Sequence, residues 1–144
     1  MNPTEYLKKA LIPIRLSCVK KDGWPTTVSL WYIYLEEKIF CASRESSKIV
    51  NHLSNNPKCG FEVAGDLPPY RGVRGFGYAK LDNSKGIEIL KILIKKYLKD
   101  DKSSLAKFLL KVDQKEVAIE IKPLSLYQYD YSDRMKGVIV NKNE

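Results

Sequence analysis

Two cations and three serines fall within six residues, Ser43-Arg44-Glu45-Ser46-Ser47-Lys48, where an apolar run, Lys38-Ile39-Phe40-Cys41-Ala42, hands over to a segment with helical spacing. A strand end holds side chains in fixed directions, a helix N-terminus offers backbone N–H groups that lack partners, and Arg44 and Lys48 bring the charge an anion needs. Together these residues have the makings of a phosphate site. A solvated helix start with Ser43 or Ser46 as N-cap accounts for the same six residues, so the site reading needs support from the rest of the chain.

Few other residues offer chemistry. The single histidine, His52, precedes Leu53 on the same short helical segment, where a surface or half-buried helix residue is a simpler reading than a base or a metal ligand. Cys18, Cys41 and Cys59 are an odd set in three strand-like segments with no CxxC pair, and they read as buried thiols. The net charge of +8 calls for an anionic partner, which could be nucleic acid, a phosphorylated small molecule or an acidic surface. Lys91, Lys95, Lys96, Lys99 and Lys102 supply part of that excess and read as the solvated face of a helix.

These residues must be positioned by one domain spanning 1–144, because a chain of 144 residues that is 44% hydrophobic and 29% charged buries a core of its own. No apolar stretch approaches the roughly 18 residues of a membrane helix, and Met1 to Tyr6 lacks the layout of a signal peptide, so a cytoplasmic location is expected. Thr4 to Leu11 reads as a helix that Pro13 closes. Ile14, Leu16 and Cys18 alternate with polar residues up to Asp22-Gly23, a hairpin signal, and the chain returns as one strand from Thr26 to Leu35. Glu36-Glu37 turns it into Lys38 to Ser43, which completes a three-stranded meander.

A one-faced helix over Ser46 to Asn55 ends at Asn56-Pro57, and strands follow over Lys58 to Ala64 and Tyr70 to Leu81. Gly72, Gly75 and Gly77 in the second of these suggest bulges or close approach of another group. Asn83 or Ser84 caps a helix with Ile87, Leu90, Ile94, Tyr97 and Leu98 on one stripe, Ser103 to Leu110 adds a shorter one, and the last strand runs from Glu116 past Pro123 toward Tyr129. This is a mainly β, α+β pattern, with about six antiparallel strands curling into a barrel.

Two constellations compete for the function. Arg74-Gly75-Phe76-Gly77-Tyr78-Ala79-Lys80-Leu81 begins like the RNP1 strand of an RNA-recognition domain, with Ile39-Phe40 as its partner strand. Ala79 and Leu81 miss the later motif positions, and the hairpin from Ile12 to Leu35 has no place in that fold.

The other constellation spans about residues 11 to 132. Arg15-Leu16-Ser17-Cys18-Val19 with Asp22-Gly23-Trp24-Pro25, Val28-Ser29-Leu30-Trp31-Tyr32, and Ser47-Lys48-Ile49-Val50-Asn51-His52-Leu53 before Asn56-Pro57 resemble, in order and spacing, the pyridoxamine 5'-phosphate oxidase-like, FMN-binding split-barrel family. Pro69-Tyr70-Arg71-Gly72-Val73-Arg74-Gly75 and Lys122-Pro123 with Tyr129-Asp130-Tyr131-Ser132 resemble its long central strand and its tail.

That resemblance implies a six-stranded antiparallel split β-barrel of Greek-key type that forms a homodimer with flavin at the subunit interface. Ser43, Arg44, Ser47 and Lys48 would contact the FMN phosphate. Ser29, Leu30 and Trp31 would line the isoalloxazine, largely through backbone groups, and Arg71 or Arg74 would reach cofactor or substrate. The implied activity is that of an oxidoreductase on a small molecule, with NAD(P)H a candidate donor; an F420-dependent reductase and a flavin-binding protein without turnover are the alternatives. The tail departs from the true oxidase, since Leu126-Tyr127-Gln128-Tyr129-Asp130 stands where that enzyme has a Trp- and Arg-containing signature. Vitamin B6 oxidation is therefore not expected.

Overall fold

In the computed structural model, which describes residues 2–100, 102–111 and 115–137, helix α1 (Pro3–Lys9) opens with Asn2 as N-cap and Pro3 in the first turn. Strands β1 (Ile14–Val19) and β2 (Pro25–Leu30) form a hairpin around Gly23, whose φ of 88° only glycine adopts freely. Strands β3 (Ile33–Leu35) and β4 (Lys38–Arg44) form a second hairpin, and helix α2 (Lys48–Asn55) follows. Then come β5 (Lys58–Ala64), β6 (Arg71–Asp82), a 3-10 turn (Asn83–Lys85), α3 (Gly86–Leu98), α4 (Ser104–Leu109) and β7 (Glu116–Asp130). No helix among the described residues is long and apolar enough to cross a membrane.

Among the described residues the sheet has seven strands in the order β2-β1-β5-β6-β7-β4-β3, and each neighbouring pair is antiparallel. Its two edge strands, β2 and β3, are consecutive in sequence and joined only by Trp31 and Tyr32. The sheet therefore curls until its edges meet at one corner, which makes it a split barrel. The expected single strand from Thr26 to Leu35 is divided at that corner, which gives seven strands in place of six. The expected meander is replaced by two hairpins at opposite edges. The division has a physical cause: the Tyr32 side chain turns into the core, and its hydroxyl donates to the Leu7 carbonyl at 2.7 Å.

Inside the curl, Ile14, Leu16 and Cys18 of β1 meet Ile39 and Cys41 of β4, Val73 of β6 and Ile119 and Ile121 of β7, with Leu7 of α1 and Leu53 of α2 closing the ends. Outside it, α3 lays Ile89 and Leu93 on Phe40 and Ala118. Strand β4 and the first half of β7 are thus covered on both faces, which explains their near-continuous apolar runs. The buried stripe of α3 is Ile89, Leu90, Leu93 and Ile94, while Ile87 is exposed.

What approaches the β6 glycines is the neighbouring backbone. A Cβ at Gly75 would collide with the Ser125 carbonyl and the Phe61 ring, and one at Gly77 would lie 2.6 Å from the Lys122 carbonyl. The register of β6 against β7 shifts between Phe76 and Gly77, so Leu124 is the extra residue of a bulge on β7.

The RNA-recognition reading does not survive this topology. Strand β7 stands between β6 and β4, so Arg74–Leu81 and Ile39-Phe40 are not paired, and both Ile39 and Phe40 are buried.

Candidate functional site

Pairing of β4 with β7 ends at Arg44 opposite Glu116, and the chain turns at once into α2 through a Ser47 N–H bond to the Arg44 carbonyl. The N-cap is Ser47, one residue beyond Ser46 and four beyond Ser43, the two serines that the sequence offered for that role. Its hydroxyl accepts the Val50 N–H at 3.3 Å and the Ser43 hydroxyl at 2.9 Å. Two lone pairs are thereby used, and the Ser47 proton remains to donate. The N–H groups of Lys48 and Ile49, in the first turn of α2, have no intrahelical acceptor, and the Lys48 side chain is exposed beside them. This corner presents donors and one exposed cation, the chemistry an anion requires.

Arg44 is held from behind. Its guanidinium lies 5.4 Å from the centroid of Phe108 on α4, and across the strand pair it faces Glu116. Burial pushes the Glu116 carboxyl above its ordinary range, and Arg44 pulls it back.

The second wall of the site is the end of β2. If the β3–β4 register, with Ile33 opposite Phe40, is continued back along the chain, Trp31 falls opposite Ala42 and Ser29 opposite Arg44. Strand β2 bends away to pair with β1, so Ala42 to Arg44 have a strand partner only on the β7 side. The mouth of the split lies between Ser29–Trp31 and Ala42–Arg44. Trp31 and Ala42 pack against the same two apolar clusters, one formed with α3 and the other including Leu109 and Leu110 at the end of α4. The Trp31 ring itself is stacked on Tyr97 of α3, with centroids 5.1 Å apart and planes 8° apart.

Ser43 and Ser47 are therefore joined at the start of α2 with Lys48 next to them, while Arg44, adjacent on β4, engages Phe108, and Trp31 packs with Ala42. Leu30 turns into the main core, and Ser29 accepts a hydrogen bond from Arg15 on β1. Arg71 and Arg74 lie elsewhere on the chain. Both are exposed, and their odd spacing sends them to opposite sides of β6. Arg71 pairs with Asp130 at the strand end. Arg74 stacks 4.2 Å over Tyr129, lies 4.0 Å from Glu62 and reaches the Tyr131 hydroxyl at 3.5 Å. Burial, with the hydrogen bond to Glu62, pushes the Tyr129 hydroxyl up to about 12.

Arg74 opens onto a cavity of about 660 Å³ on the outer face of the sheet, lined also by Arg15, Glu62, Phe76, Ser125 and Tyr127. The Arg15–Ser29 bond places Ser29 beside the rim of that cavity. The sequence reading missed Arg15, which it had used only as part of a motif, and it missed Lys96 and Tyr97 as partners of the split. Lys96 lies seven residues after the buried Ile89, a helical spacing that puts it on the core side of α3 rather than on the solvated face. His52 is half-buried on α2, as expected. All three cysteines are buried thiols, and burial raises Cys41 to about 12 and Cys59 to about 11, which makes them poor nucleophiles.

No protein-family profile matches the sequence, and no curated protein matches it. Solved structures do. A conserved hypothetical protein from Mycobacterium tuberculosis superposes with a TM-score of 0.77 at 15% identity, over 94% of this chain and 87% of its own. An F420 reductase gives 0.69 at 17% identity, over 88% of this chain and 98% of its own. A Listeria innocua protein provisionally identified as pyridoxamine 5'-phosphate oxidase gives 0.64 at 17% identity, over 86% and 92%. At such identities the likeness speaks to architecture alone. The chain has the split-barrel fold of the pyridoxamine 5'-phosphate oxidase-like proteins.

Proposed function

We propose that this protein binds FMN at the mouth of the split and passes a hydride or electrons between a donor, with NAD(P)H a candidate, and a small acceptor. The observation that carries the reading is the corner in which Ser43, Ser47 and Lys48 flank the unpaired first-turn N–H groups of α2, next along β4 from Ala42, which shares an apolar cluster with Trp31. Ser43, Arg44, Ser47 and Lys48 would hold the phosphate, and the backbone of Ser29 to Trp31 would border the ring. The flavin supplies the redox chemistry when bound; the chain's own residues bind it, orient it and leave one face open to a planar partner.

The same reading makes the chain a homodimer. Phe76, Tyr78, Leu124 and Tyr127 are each more than half exposed and belong to the adjacent strands β6 and β7. An aromatic face of that kind suits a second copy. Docked there, the partner's copy of the 660 Å³ cavity and its Arg74 would complete a cleft beside Ser29.

The test is a visible spectrum of the purified protein, followed by titration of the apo form with FMN and with F420. Tight FMN binding with reduction by NAD(P)H supports the oxidoreductase. Preference for F420 moves the reading to a deazaflavin reductase, a cofactor suggested by the F420 reductase among the similar structures. Bound FMN that no nicotinamide reduces identifies a flavin-holding protein, and binding of neither cofactor rejects the proposal.

A further inference from the structure

The geometry points to Lys96 and Tyr97, at the end of α3, as positioning residues that fix the flavin-bordering strand end by clasping the Trp31–Tyr32 corner. This inference rests on the flavin reading above. The Lys96 ammonium donates to the Tyr32 carbonyl at 2.7 Å, and sits 3.9 Å from the Tyr32 ring centroid and 4.8 Å from that of Tyr97. The Tyr97 hydroxyl donates to the Ile12 carbonyl at 3.0 Å, with Tyr32 carbonyl a longer acceptor at 3.4 Å, and it accepts the Tyr32 N–H at 3.4 Å. Its ring carries the Trp31 indole.

A corner of this kind needs such a clasp. Tyr32 pairs with no strand, so its N–H and C=O would be orphans in a partly buried place, and each unmet group there costs about 1–3 kcal/mol. Lys96 and Tyr97 satisfy both. They also tie together the entry to β1, through Ile12, and the exit from β2, through Trp31, so the limb from Ser29 to Trp31 is held at its inner end. Both side chains act on backbone groups of Ile12 and Tyr32, so an effect on the cofactor would travel through the backbone they hold.

Lys96 is expensive to keep in this place. Burial lowers its pKa to about 8, with the Cys41 thiol the one group that pulls upward. Tyr32 and Tyr97, the other titratable groups packed on it, are raised by burial and stay neutral where Lys96 titrates. An apolar side chain of similar length would pack there with no such penalty, and a role for the donor and the charge explains why a lysine stands in the place.

The experiment uses the whole chain with FMN as the probe. Tyr97→Phe keeps the stacked ring and removes the hydroxyl, Lys96→Met removes charge and donor, and Lys96→Arg restores both in a different shape. Tyr97→Phe and Lys96→Met are expected to raise the FMN dissociation constant roughly fivefold or more, the worth of about one hydrogen bond, and to shift the flavin's visible band and midpoint potential; Lys96→Arg should recover part of each. Folded variants that bind FMN with the unmodified constant, band and potential would leave the clasp a purely structural device and overturn the inference. Failure of the unmodified protein to bind FMN rejects the flavin reading itself, and this inference with it.

Discussion

Trp31 and Tyr97, which are 66 residues apart in sequence, lie ring on ring at 5.1 Å with planes 8° apart, and this stack ties the link between the two edge strands of the sheet to α3. A parallel stack of two half-buried aromatics contributes beyond the area it covers. In a double-mutant cycle with Trp31→Leu and Tyr97→Leu, urea unfolding should show a coupling of about 0.5–1.5 kcal/mol. Additive effects would mean that the rings are neighbours without mutual stabilisation.

The proposed phosphate corner allows binding to be separated from stability. Lys48 is exposed and caps nothing, so Lys48→Ala should leave the melting temperature alone while weakening FMN binding by about 1.5–3 kcal/mol, the worth of a charged hydrogen bond. Ser47 caps α2 and also belongs to the proposed site. Ser47→Ala should lose about 1 kcal/mol of stability with its cap and weaken FMN binding as well. Equal FMN constants in Lys48→Ala and the unmodified protein would retire the assignment.

Lys96 sets a pH dependence whose sign can be worked out. Its pKa is about 8 when folded and near 10.5 when the chain is unfolded, so between those values the unfolded chain holds the extra proton. Stability rises with pH wherever the unfolded state binds more protons. The contribution is present above about 10.5 and is lost as pH falls through about 8. Relative to Lys96→Met, the unmodified protein should therefore gain stability across this window in denaturant titrations; parallel curves would place Lys96 in water.

A charge on the outer face tests the second copy. Phe76→Lys leaves the core untouched, since Phe76 is 55% exposed, but it places an ammonium in the middle of the aromatic patch. Sedimentation should show a monomer, and FMN should bind far more weakly if the cleft is shared. A monomeric unmodified protein would reject the homodimer, and a dimer that the lysine does not disturb would put the contact elsewhere.

Local signals were enough for some elements. The Lys58–Ala64 strand is bounded as its alternation predicts, and Asp22-Gly23 turns the first hairpin. The corner at Trp31-Tyr32 could not be seen this way, because branched and aromatic residues continue on both sides of it with no glycine or proline. What breaks the strand there is a hydroxyl bond to a carbonyl on α1 and a clasp from α3, both remote in sequence. That Ser47 is the cap, and neither Ser43 nor Ser46 as the sequence suggested, depended likewise on where pairing with Glu116 ends. Lys96 was lost in a run of lysines whose other members do face solvent, though its heptad spacing from Ile89 marked it out.

Pairing between the two strands of the second hairpin halts at Ile33 and Phe40. Two more rungs would bring Trp31 into ladder contact with Ala42 and zip the barrel shut, with strand order and core unchanged. The width of the aperture is therefore governed by a ladder's stopping point. Substitutions at the Trp31-Tyr32 corner could alter what the barrel admits while every other strand keeps its neighbour.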